Sequence, residues 1–487
     1  MNITLILVIG HFCGSVAMAI NIIYSRRSTN AATAWLLLLF LFPYFGLLLY
    51  LLIGQAKLGT RRARRKAELM AFYHDLRRRF DLDGDGQAVP LEPRWRSLAR
   101  LAERDVGFNL DSSNRVQLLT DTDAILGAMI SDIERAQNSC LLMFYIVAGG
   151  GRVAQLLEAL ADAARRGVHC QLLMDSLGSK DFFRSPWIEY LQEAGVQITE
   201  SLPLGLFKWL TVRADLRNHR KLLVVDYRVA YAGSYNLIDP REFKQSSGVG
   251  QWVDVMMRVE GQTAQMLAVV FHGDWALETD PNLASTIGHI EDYFHGENLQ
   301  LPAFRGATLQ LIPSAPDESS HIAYDTLISA FYNAQQYITI TTPYFVPDEG
   351  LLKALLNAAR RGVRVRLMVP EHNDSTLVAY ASQAYYQPLL EAGVELLGFR
   401  GGLLHSKTVL IDGSYALFGS VNMDMRSFYL NMELSLAIYD RETVGKIDNL
   451  QRSYLSQCRP VSPKRWPRRP WLQRFLERIV RLLSPLL

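Results

Sequence analysis

The sequence predicts an α/β fold in which two duplicated halves, each a mixed sheet flanked by helices, follow a two-helix transmembrane hairpin. Three observations predict it: two long apolar runs precede residue 54, strand-like and helical patterns alternate from about residue 96, and short strings of the first half recur in the second. A chain of 487 residues is expected to form two or three domains. The net charge is only +3, but the basic residues are clustered.

Two apolar segments near the N-terminus predict membrane-spanning helices at about residues 3–24 and 33–53. A helix rises about 1.5 Å per residue, so each segment can cross a hydrocarbon layer of about 30 Å. Pro43 lies within the second segment, where a kink is tolerated. A cleaved signal peptide is the alternative for the first segment, but that segment lacks a charged start and another apolar run follows it directly. We therefore expect residues 1–56 to form a transmembrane hairpin.

Basic residues predict the side of the membrane on which the rest of the chain lies. The loop between the two apolar segments carries Arg26 and Arg27, whereas residues 57–66 and 77–79 contain a larger cluster. Because the larger basic cluster marks the cytoplasmic side, the body of the protein is expected in the cytoplasm. The cluster belongs to a linker at residues 57–95, where it either attracts anionic lipid head groups or only fixes the topology.

Neither the cysteines nor the acidic residues predict a metal site. The cysteines form no Cys-x-x-Cys pair, which argues against a zinc site or a disulfide framework and suits a reducing compartment; they are Cys13, Cys140, Cys170 and Cys458. Residues 81–86 and Glu92 have the spacing of a calcium-binding EF-hand loop, but Pro90 interrupts it and no second loop accompanies it. We interpret this segment as an acidic turn after a basic helix at residues 61–80.

Apolar patterns predict the same order of elements in both halves, namely strand, helix, strand. These elements are expected at residues 141–147, 153–166 and 167–175 in the first half and at residues 337–341, 351–361 and 362–369 in the second. The strings Ala-Ala-Arg-Arg-Gly-Val and Glu-Ala-Gly-Val occur once in each half, which indicates a domain duplication. We place the halves at residues 96–285 and 302–458, with a polar linker near residues 280–301. Alternating strands and helices imply largely parallel or mixed sheets.

One motif recurs in both halves with six residue types at the same spacing. The two copies are His219, Lys221, Asp226, Gly233, Ser234 and Asn236, and His405, Lys407, Asp412, Gly419, Ser420 and Asn422. Side chains two apart on a strand face the same way, so the His and Lys of each copy share a face. We expect the glycines to let the backbone approach a ligand and the Ser and Asn side chains to donate hydrogen bonds at the same rim. Asp412 and Gly413 predict a hairpin turn.

Two such copies around one cavity predict a phosphate site that works without a metal, because imidazole, ammonium and amide groups surround the phosphate oxygens. One imidazole can attack phosphorus to form a phosphohistidine, while the other protonates the leaving oxygen. The residues alone leave open which histidine does which. Each imidazole needs an acceptor that sets its tautomer. Asp254 and Glu433 are the candidates, because each follows its motif in an apolar strand, where an acid requires a partner.

These motifs resemble the paired His-x-Lys-x4-Asp-x6-Gly-Ser motifs of the phospholipase D superfamily. The order of membrane hairpin, basic segment and two phospholipase-D-type halves is similar to that of the bacterial cardiolipin synthases. The resemblance implies transfer of a phosphatidyl group from one phosphatidylglycerol to another in the bacterial inner membrane, with release of glycerol and without a cofactor. It also implies that His219 is the nucleophile and His405 the acid and base. The residues it implies as catalytic are His219, Lys221, Asp226, His405, Lys407 and Asp412.

Three other functions fit part of the sequence. A membrane-bound phospholipase D would transfer the phosphatidyl group to water. A nuclease would use the same motif on nucleic acid, but the apolar segments and the lack of a nucleic-acid module argue against a nucleic-acid partner. A lipid-binding scaffold would not need two complete motifs. Phosphatidylglycerol and anionic membrane lipid are therefore the expected partners.

Residues 459–487 predict a basic amphipathic C-terminal helix. One face of residues 471–483 carries the apolar side chains Leu472, Phe475, Leu476, Ile479, Leu482 and Leu483, and Arg474, Arg478 and Arg481 lie towards the other. Such a helix is typical of the membrane interface, where its basic face suits anionic lipid. The alternative is a helix packed on the body of the protein.

Overall fold

The computed structural model describes residues 3–24, 29–54, 68, 91–203, 215–279, 288, 306–316 and 321–482. Several sequence predictions fall outside these residues. They are the arginines at 26 and 27, the basic cluster at 57–66 and 77–79, the acidic loop at 81–90, nearly all of the linker at 280–301, and Leu483.

The described part of the chain alternates helices and strands from residue 93 onwards, as predicted. The helices are α1 (Ile3–Tyr24), α2 (Thr29–Leu41), α3 (Pro43–Ile53), α4 (Pro93–Val106), α5 (Thr122–Arg135), α6 (Arg152–Arg165), α7 (Trp187–Glu193), α8 (Gln262–Thr279), α9 (Ile322–Asn333), α10 (Glu349–Arg360), α11 (Thr376–Gln383), α12 (Tyr386–Glu391), α13 (Met425–Tyr429), α14 (Arg441–Leu455) and α15 (Trp471–Arg481). The strands of the first half are β1 (Asp111–Leu119), β2 (Ser139–Phe144), β3 (His169–Asp175), β4 (Gln197–Ser201), β5 (Arg217–Asn218), β6 (Leu222–Val225), β7 (Val229–Gly233), β8 (Trp252–Val253) and β9 (Met256–Gly261). The strands of the second half are β10 (Ala307–Ser314), β11 (Tyr337–Thr341), β12 (Phe345–Val346), β13 (Arg364–Pro370), β14 (Glu395–Phe399), β15 (Leu403–Leu404), β16 (Thr408–Ile411), β17 (Tyr415–Gly419), β18 (Met423–Asp424), β19 (Asn431–Ile438) and β20 (Cys458–Pro460).

One mixed sheet of 16 strands runs through both halves. Its order is β4-β3-β2-β6-β7-β9-β1 in the first half, continued by β10-β19-β17-β16-β11-β13-β14-β20 in the second, and β5 pairs with β19 beside this path. The two orders mirror each other, with β2-β3-β4 and β11-β13-β14 parallel in each half. The predicted α/β duplication is therefore confirmed, and the halves share a sheet because β1 and β10 pair antiparallel at its centre.

Helices cover both faces of the sheet, which explains why its strands are apolar without alternation. In β2, Leu142 and Phe144 pack in the apolar cluster of α5 and α6, whereas Leu141 and Met143 pack in the larger cluster that contains α8. Successive side chains of a strand point to opposite faces, so β2 is buried on both. The larger cluster extends into the second half, and the core is therefore continuous through the body.

The N-terminal helices differ from the prediction at the second apolar segment. The predicted span at residues 33–53 is not one helix but two, α2 and α3. The break falls at Phe42, whose backbone leaves the helical region (φ −128°, ψ 73°), because Pro43 lacks an amide hydrogen and begins α3. Among the helices that the structure describes, none combines the length with the hydropathy of a membrane span.

Candidate active site

The two His-x-Lys segments lie at the carboxyl edge of the parallel strands, between the halves. His219 follows β5, which pairs with β19 of the second half, and its amide donates to the carbonyl of Met432 at 2.9 Å. His405 follows β15, which pairs with β8 of the first half, and its amide donates to the carbonyl of Val253 at 2.9 Å. Each histidine is therefore held in place by backbone of the opposite half.

The carboxylate partners of the two histidines are exchanged between the halves. Nδ1 of His219 lies 2.9 Å from Oε2 of Glu433, and Nδ1 of His405 lies 2.7 Å from Oδ1 of Asp254. The two acids were predicted as partners because each follows the motif of its own half. The structure places both acids at the site but pairs each with the histidine of the other half.

The motif serines support these carboxylates. Oγ of Ser234 donates to Oδ1 of Asp254 at 2.6 Å, and Oγ of Ser420 donates to Oε2 of Glu433. Both hydroxyls are also fully buried. The prediction that the serines donate to a ligand at the rim is therefore wrong for their hydroxyls, because the hydrogen atoms are committed to the acids that orient the histidines.

Burial and the ion pairs set the protonation state of the site. Burial lowers the pKa of His219 to about 4 and that of His405 to about 3, although the paired carboxylates oppose the shift. Burial alone would raise the pKa of Asp254 and Glu433, but the paired imidazoles hold both below the ordinary values. At neutral pH each imidazole is therefore neutral and donates from Nδ1 to a carboxylate, which leaves the lone pair of Nε2 free to act as a nucleophile or base.

The two lysines supply positive charge beside the histidines. Each ammonium group donates to the backbone carbonyl of the histidine two residues earlier, at 2.5 Å for both Lys221 and Lys407. Burial lowers the pKa of Lys221 to about 7 and that of Lys407 to about 8. An anionic phosphodiester between the two halves would compensate this burial, because it brings negative charge next to both ammonium groups.

The two motif asparagines differ in their bonding. Oδ1 of Asn236 accepts from the amide of Ile146 at 3.2 Å, so its carbonyl orients the chain after β2. The backbone amide of Asn422 donates to Oγ of Ser427. The side-chain Oδ1 of Asn422 is buried and has no hydrogen-bond partner within the described residues. In the same part of the chain, Nε1 of Trp252 and Oδ1 of Asn431 are likewise buried without a partner.

The motif aspartates lie at the far end of the hairpin strands from the histidines. Oδ1 of Asp226 accepts from the amides of Asn138 and Ser139, and Oδ1 of Asp412 accepts in the same way from the amides of Gln336 and Tyr337. Both aspartates occupy the hairpin turn with positive φ, 50° and 51°, where a short polar side chain is favoured. In the structure they fix the start of β2 and β11, and the catalytic role predicted for them stays a prediction.

The motif glycines face a neighbouring strand. A Cβ on Gly233 would lie 2.4 Å from the carbonyl oxygen of Val255, and one on Gly419 would lie 2.2 Å from that of Leu434. The close approach that the structure shows is to the strand that carries Asp254 or Glu433, and the predicted approach to a ligand stays a prediction.

Two aromatic residues beside the histidines were missed. The ring of Tyr145 lies 5.0 Å from that of His219, and the ring of Trp252 lies 4.5 Å from that of His405. Both residues were read as parts of apolar strands, since a single aromatic residue in such a run carries no sequence signal for a site. Their rings pack beside the two imidazoles.

The arrangement suits attack by one imidazole on a phosphodiester with acid and base assistance from the other. Two neutral imidazoles with free Nε2 atoms, each oriented by a carboxylate, are placed with two ammonium groups in a buried region. Within the described residues no cluster of three metal-binding side chains occurs. The charge that develops on phosphate oxygens can be balanced by Lys221 and Lys407.

Comparison with known proteins agrees with this geometry. A family profile described as "Cardiolipin synthase, PLD-like domain" matches residues 129–275 and 327–453, and one described as "Phospholipase_D-nuclease N-terminal" matches residues 15–55. Cardiolipin synthase A of Escherichia coli O1:K1 / APEC and that of Escherichia coli strain K12 / DH10B are each 38% identical over 484 residues, covering 99% of this chain and 98% of theirs.

A solved structure supports the fold. The crystal structure of phosphatidylserine synthase from Haemophilus influenzae Rd KW20 aligns with a TM-score of 0.59 at 14% identity, over 80% of this chain and 100% of that one. The sequence matches extend over nearly the whole chain and include both halves. The chain therefore belongs to the cardiolipin synthase family of phospholipase-D-like proteins.

Proposed function

We propose that this protein is a phosphatidyl transferase that condenses two phosphatidylglycerol molecules into cardiolipin and glycerol. The observation that carries the proposal is the pair of imidazoles held by Glu433 and Asp254 across the two halves. The relatives named cardiolipin synthase A support phosphatidylglycerol as the substrate class, and the site supports transfer at phosphorus.

The reaction has two steps that use the histidines in turn. Nε2 of His219 attacks phosphorus of the first phosphatidylglycerol, and the bond from phosphorus to the head-group glycerol oxygen breaks. His405 must first take up a proton on Nε2, a form that the incoming anionic phosphodiester and Asp254 favour. It gives this proton to that oxygen, so glycerol leaves and a phosphatidyl-histidine remains. His405 then takes the proton from a head-group hydroxyl of the second phosphatidylglycerol, whose oxygen attacks phosphorus and releases His219 as cardiolipin forms.

Lys221 and Lys407 would bind the phosphate oxygens throughout both steps. Glu433 and Asp254 keep the proton of each imidazole on Nδ1, so that Nε2 faces phosphorus. Asn422 is suited to a contact with a glycerol hydroxyl, which could donate to its Oδ1, because this oxygen has no partner within the described part of the chain.

The apolar N-terminal helices support an anchor in the bacterial inner membrane at residues 1–56. Phe12, Ile23, Phe40, Leu41 and Phe45 are each at least 60% exposed, which is unfavourable in water and favourable in lipid. The linker at residues 57–95, with its basic cluster, would then lie at the cytoplasmic surface of the membrane. The two halves at residues 96–285 and 302–458 and the C-terminal segment 459–487 would follow it on the same side.

The test uses purified full-length protein in mixed micelles with phosphatidylglycerol labelled in both the acyl chains and the head group. Labelled cardiolipin and glycerol in equal amounts are expected. Phosphatidic acid with glycerol but no cardiolipin would instead identify a phospholipase D that uses water. His219→Ala and His405→Ala should each abolish turnover, whereas His169→Ala, at the exposed amino end of β3, should retain it.

A further inference from the structure

The C-terminal helix α15 rests on the body through its polar side. Glu477 is 2% exposed, and its Oε2 accepts from Nη2 of Arg469 at 3.0 Å. Next to this ion pair, Nε2 of Gln473 donates to Gln383 at the end of α11, and the guanidinium of Arg481 lies 5.2 Å from the ring centre of Tyr385. Charged and polar contacts therefore fix the orientation of α15 on α11.

The apolar side of α15 consequently points away from the body. Its large side chains are far more exposed than is normal for an amphipathic helix, which buries its apolar stripe against the core. Among the described residues, their exposed fractions are 71% for Trp471, 52% for Leu472, 52% for Phe475, 41% for Leu476, 42% for Ile479 and 79% for Leu482. The alternative drawn from the sequence, packing on the body, holds only for the opposite side of the helix, which carries Gln473, Glu477 and the partly buried Val480.

This apolar face lies at the edge of the sheet that carries the histidines. Thr341, the last residue of β11, pairs with Thr408, three residues after His405. Beyond that edge, a cavity of about 380 Å³ separates the strand ends from the segment before α15, with Pro343 and Pro370 on one side and Arg469 on the other. The helix α15 therefore lies beyond the carboxyl ends of the parallel strands, the same edge at which the histidines lie.

Further exposed apolar side chains follow the strands at the same edge. Leu377 of α11, the helix on which α15 packs, is 43% exposed. Leu177 occupies the corresponding edge in the first half, two residues after β3, and is 47% exposed. Exposed apolar side chains therefore occur after the strands in both halves, and Leu377 belongs to the helix against which α15 packs.

Basic side chains flank this face and identify its partner. Arg474 and Arg478 are exposed on α15, and Lys464, Arg465 and Arg468 are exposed just before it. A second copy of the chain would bring the same positive charges together, whereas a surface of anionic phospholipid neutralises them. Tryptophan and phenylalanine above a row of arginines also match the chemistry of the region between head groups and acyl chains.

We propose that the apolar face of α15, together with Leu377, inserts into the surface of an anionic phospholipid bilayer and holds the active-site edge of the sheet against it. The choice of lipid as substrate rests on the proposed function, but insertion itself does not. The body would thereby approach the bilayer at a second place, far along the chain from the N-terminal helices, with the histidine edge facing the lipid.

The test places an environment-sensitive fluorophore on Phe475→Cys in the full-length protein, reconstituted in vesicles of phosphatidylglycerol and phosphatidylethanolamine. Cys13 and Cys458 are replaced by serine, while the buried Cys140 and Cys170 remain. The matched control is Tyr332→Cys, because Tyr332 is 49% exposed at the end of α9, next to the opposite edge of the sheet. Quenching by brominated acyl chains is expected at position 475 and not at position 332.

Two results would overturn the proposal. Equal quenching of both labels by aqueous iodide, without quenching by bromolipid, would show that α15 stays in water. Protection of the label at position 475 from both quenchers would show that protein covers the face. Because these readouts need no turnover, a parent protein that makes no cardiolipin but shows bromolipid quenching would refute only the proposed function.

A second measurement asks whether insertion serves the reaction. The double variant Leu472→Gln and Phe475→Gln removes apolar surface without touching the ion pair of Glu477. Its rate should fall about tenfold or more on vesicles, where the face must insert, and stay near the parent rate in detergent mixed micelles. Equal rates on vesicles would contradict a role of this face in lipid access.

Discussion

The imidazole of His219 lies 2.9 Å from the carboxylate of Glu433, although the two residues belong to different halves of the chain. The equivalent contact joins His405 to Asp254 with the halves exchanged. Neither half can therefore orient its own histidine, and the site exists only when both halves are assembled. This explains why one chain carries two copies of the unit on a shared sheet.

Glu433→Gln should lower kcat by about 10²- to 10⁴-fold, because the amide no longer fixes the proton on Nδ1 of His219. Asp254→Asn should act similarly through His405. The rate of cardiolipin formation measures both effects. Glu349→Gln is the matched control, since Glu349 is exposed and forms a surface ion pair with Lys353. An unchanged kcat for Glu433→Gln would contradict the role of this carboxylate in orienting His219.

Asp226→Asn should weaken the fold rather than the chemistry. Its carboxylate accepts from three consecutive amides before and at the start of β2, so we expect a loss of about 1–3 kcal/mol of unfolding free energy. Thermal unfolding and kcat of the folded enzyme separate the two effects, with exposed Asp162→Asn as control. A large fall in kcat at unchanged stability would instead support the catalytic role predicted for Asp226.

The lysine pKa values predict an alkaline limit to the reaction. Below its pKa of about 7 or 8, Lys221 or Lys407 is an ammonium group that attracts the phosphodiester; above it, the side chain is neutral. Since kcat/KM reports the free enzyme, it should fall as pH rises through this range. Lys221→Arg should lessen the fall, because guanidinium stays charged. A decline only near pH 10, at about the ordinary lysine pKa, would contradict the assignment.

Arg220, between His219 and Lys221, is predicted to hold the halves together. Its guanidinium donates to Asp274 at 2.6 Å and to the carbonyls of Glu433 and Ser314, both in the second half. Arg220→Met should cost about 3–5 kcal/mol, because it removes one member of a buried ion pair. Chemical unfolding measures the loss, and adding Asp274→Leu should restore much of it. A double variant no more stable than the single one would contradict a pairwise role.

The repeat in the sequence was enough to predict the α/β duplication and most of the residues that converge on the site. Residue spacing could identify Asp254 and Glu433 as acids in apolar strands, but it carries no information on which half each strand faces. The exchange depends on the pairing of β5 with β19 and of β15 with β8, which are contacts between segments distant in sequence.

Other differences have local causes. The aspartates Asp226 and Asp412 share a motif with the histidines, yet a hairpin strand separates them, and an acid in a turn serves backbone amides as readily as a substrate. The positions of Tyr145 and Trp252 beside the histidines could not be predicted, because aromatic residues are common in buried strands. The break at Phe42 depends on how strongly Pro43 disrupts a helix, which hydropathy does not measure.

The central claim, two histidines with separate roles, is tested most directly by trapping the intermediate. His405→Ala is mixed with a phosphatidyl p-nitrophenyl ester, whose leaving group needs no proton. One nitrophenolate per enzyme should appear in a burst, and peptide mapping should find the phosphatidyl group on His219, where it persists because the base for the second step is missing. A burst that instead requires His405, with the adduct on that residue in His219→Ala, would contradict the account.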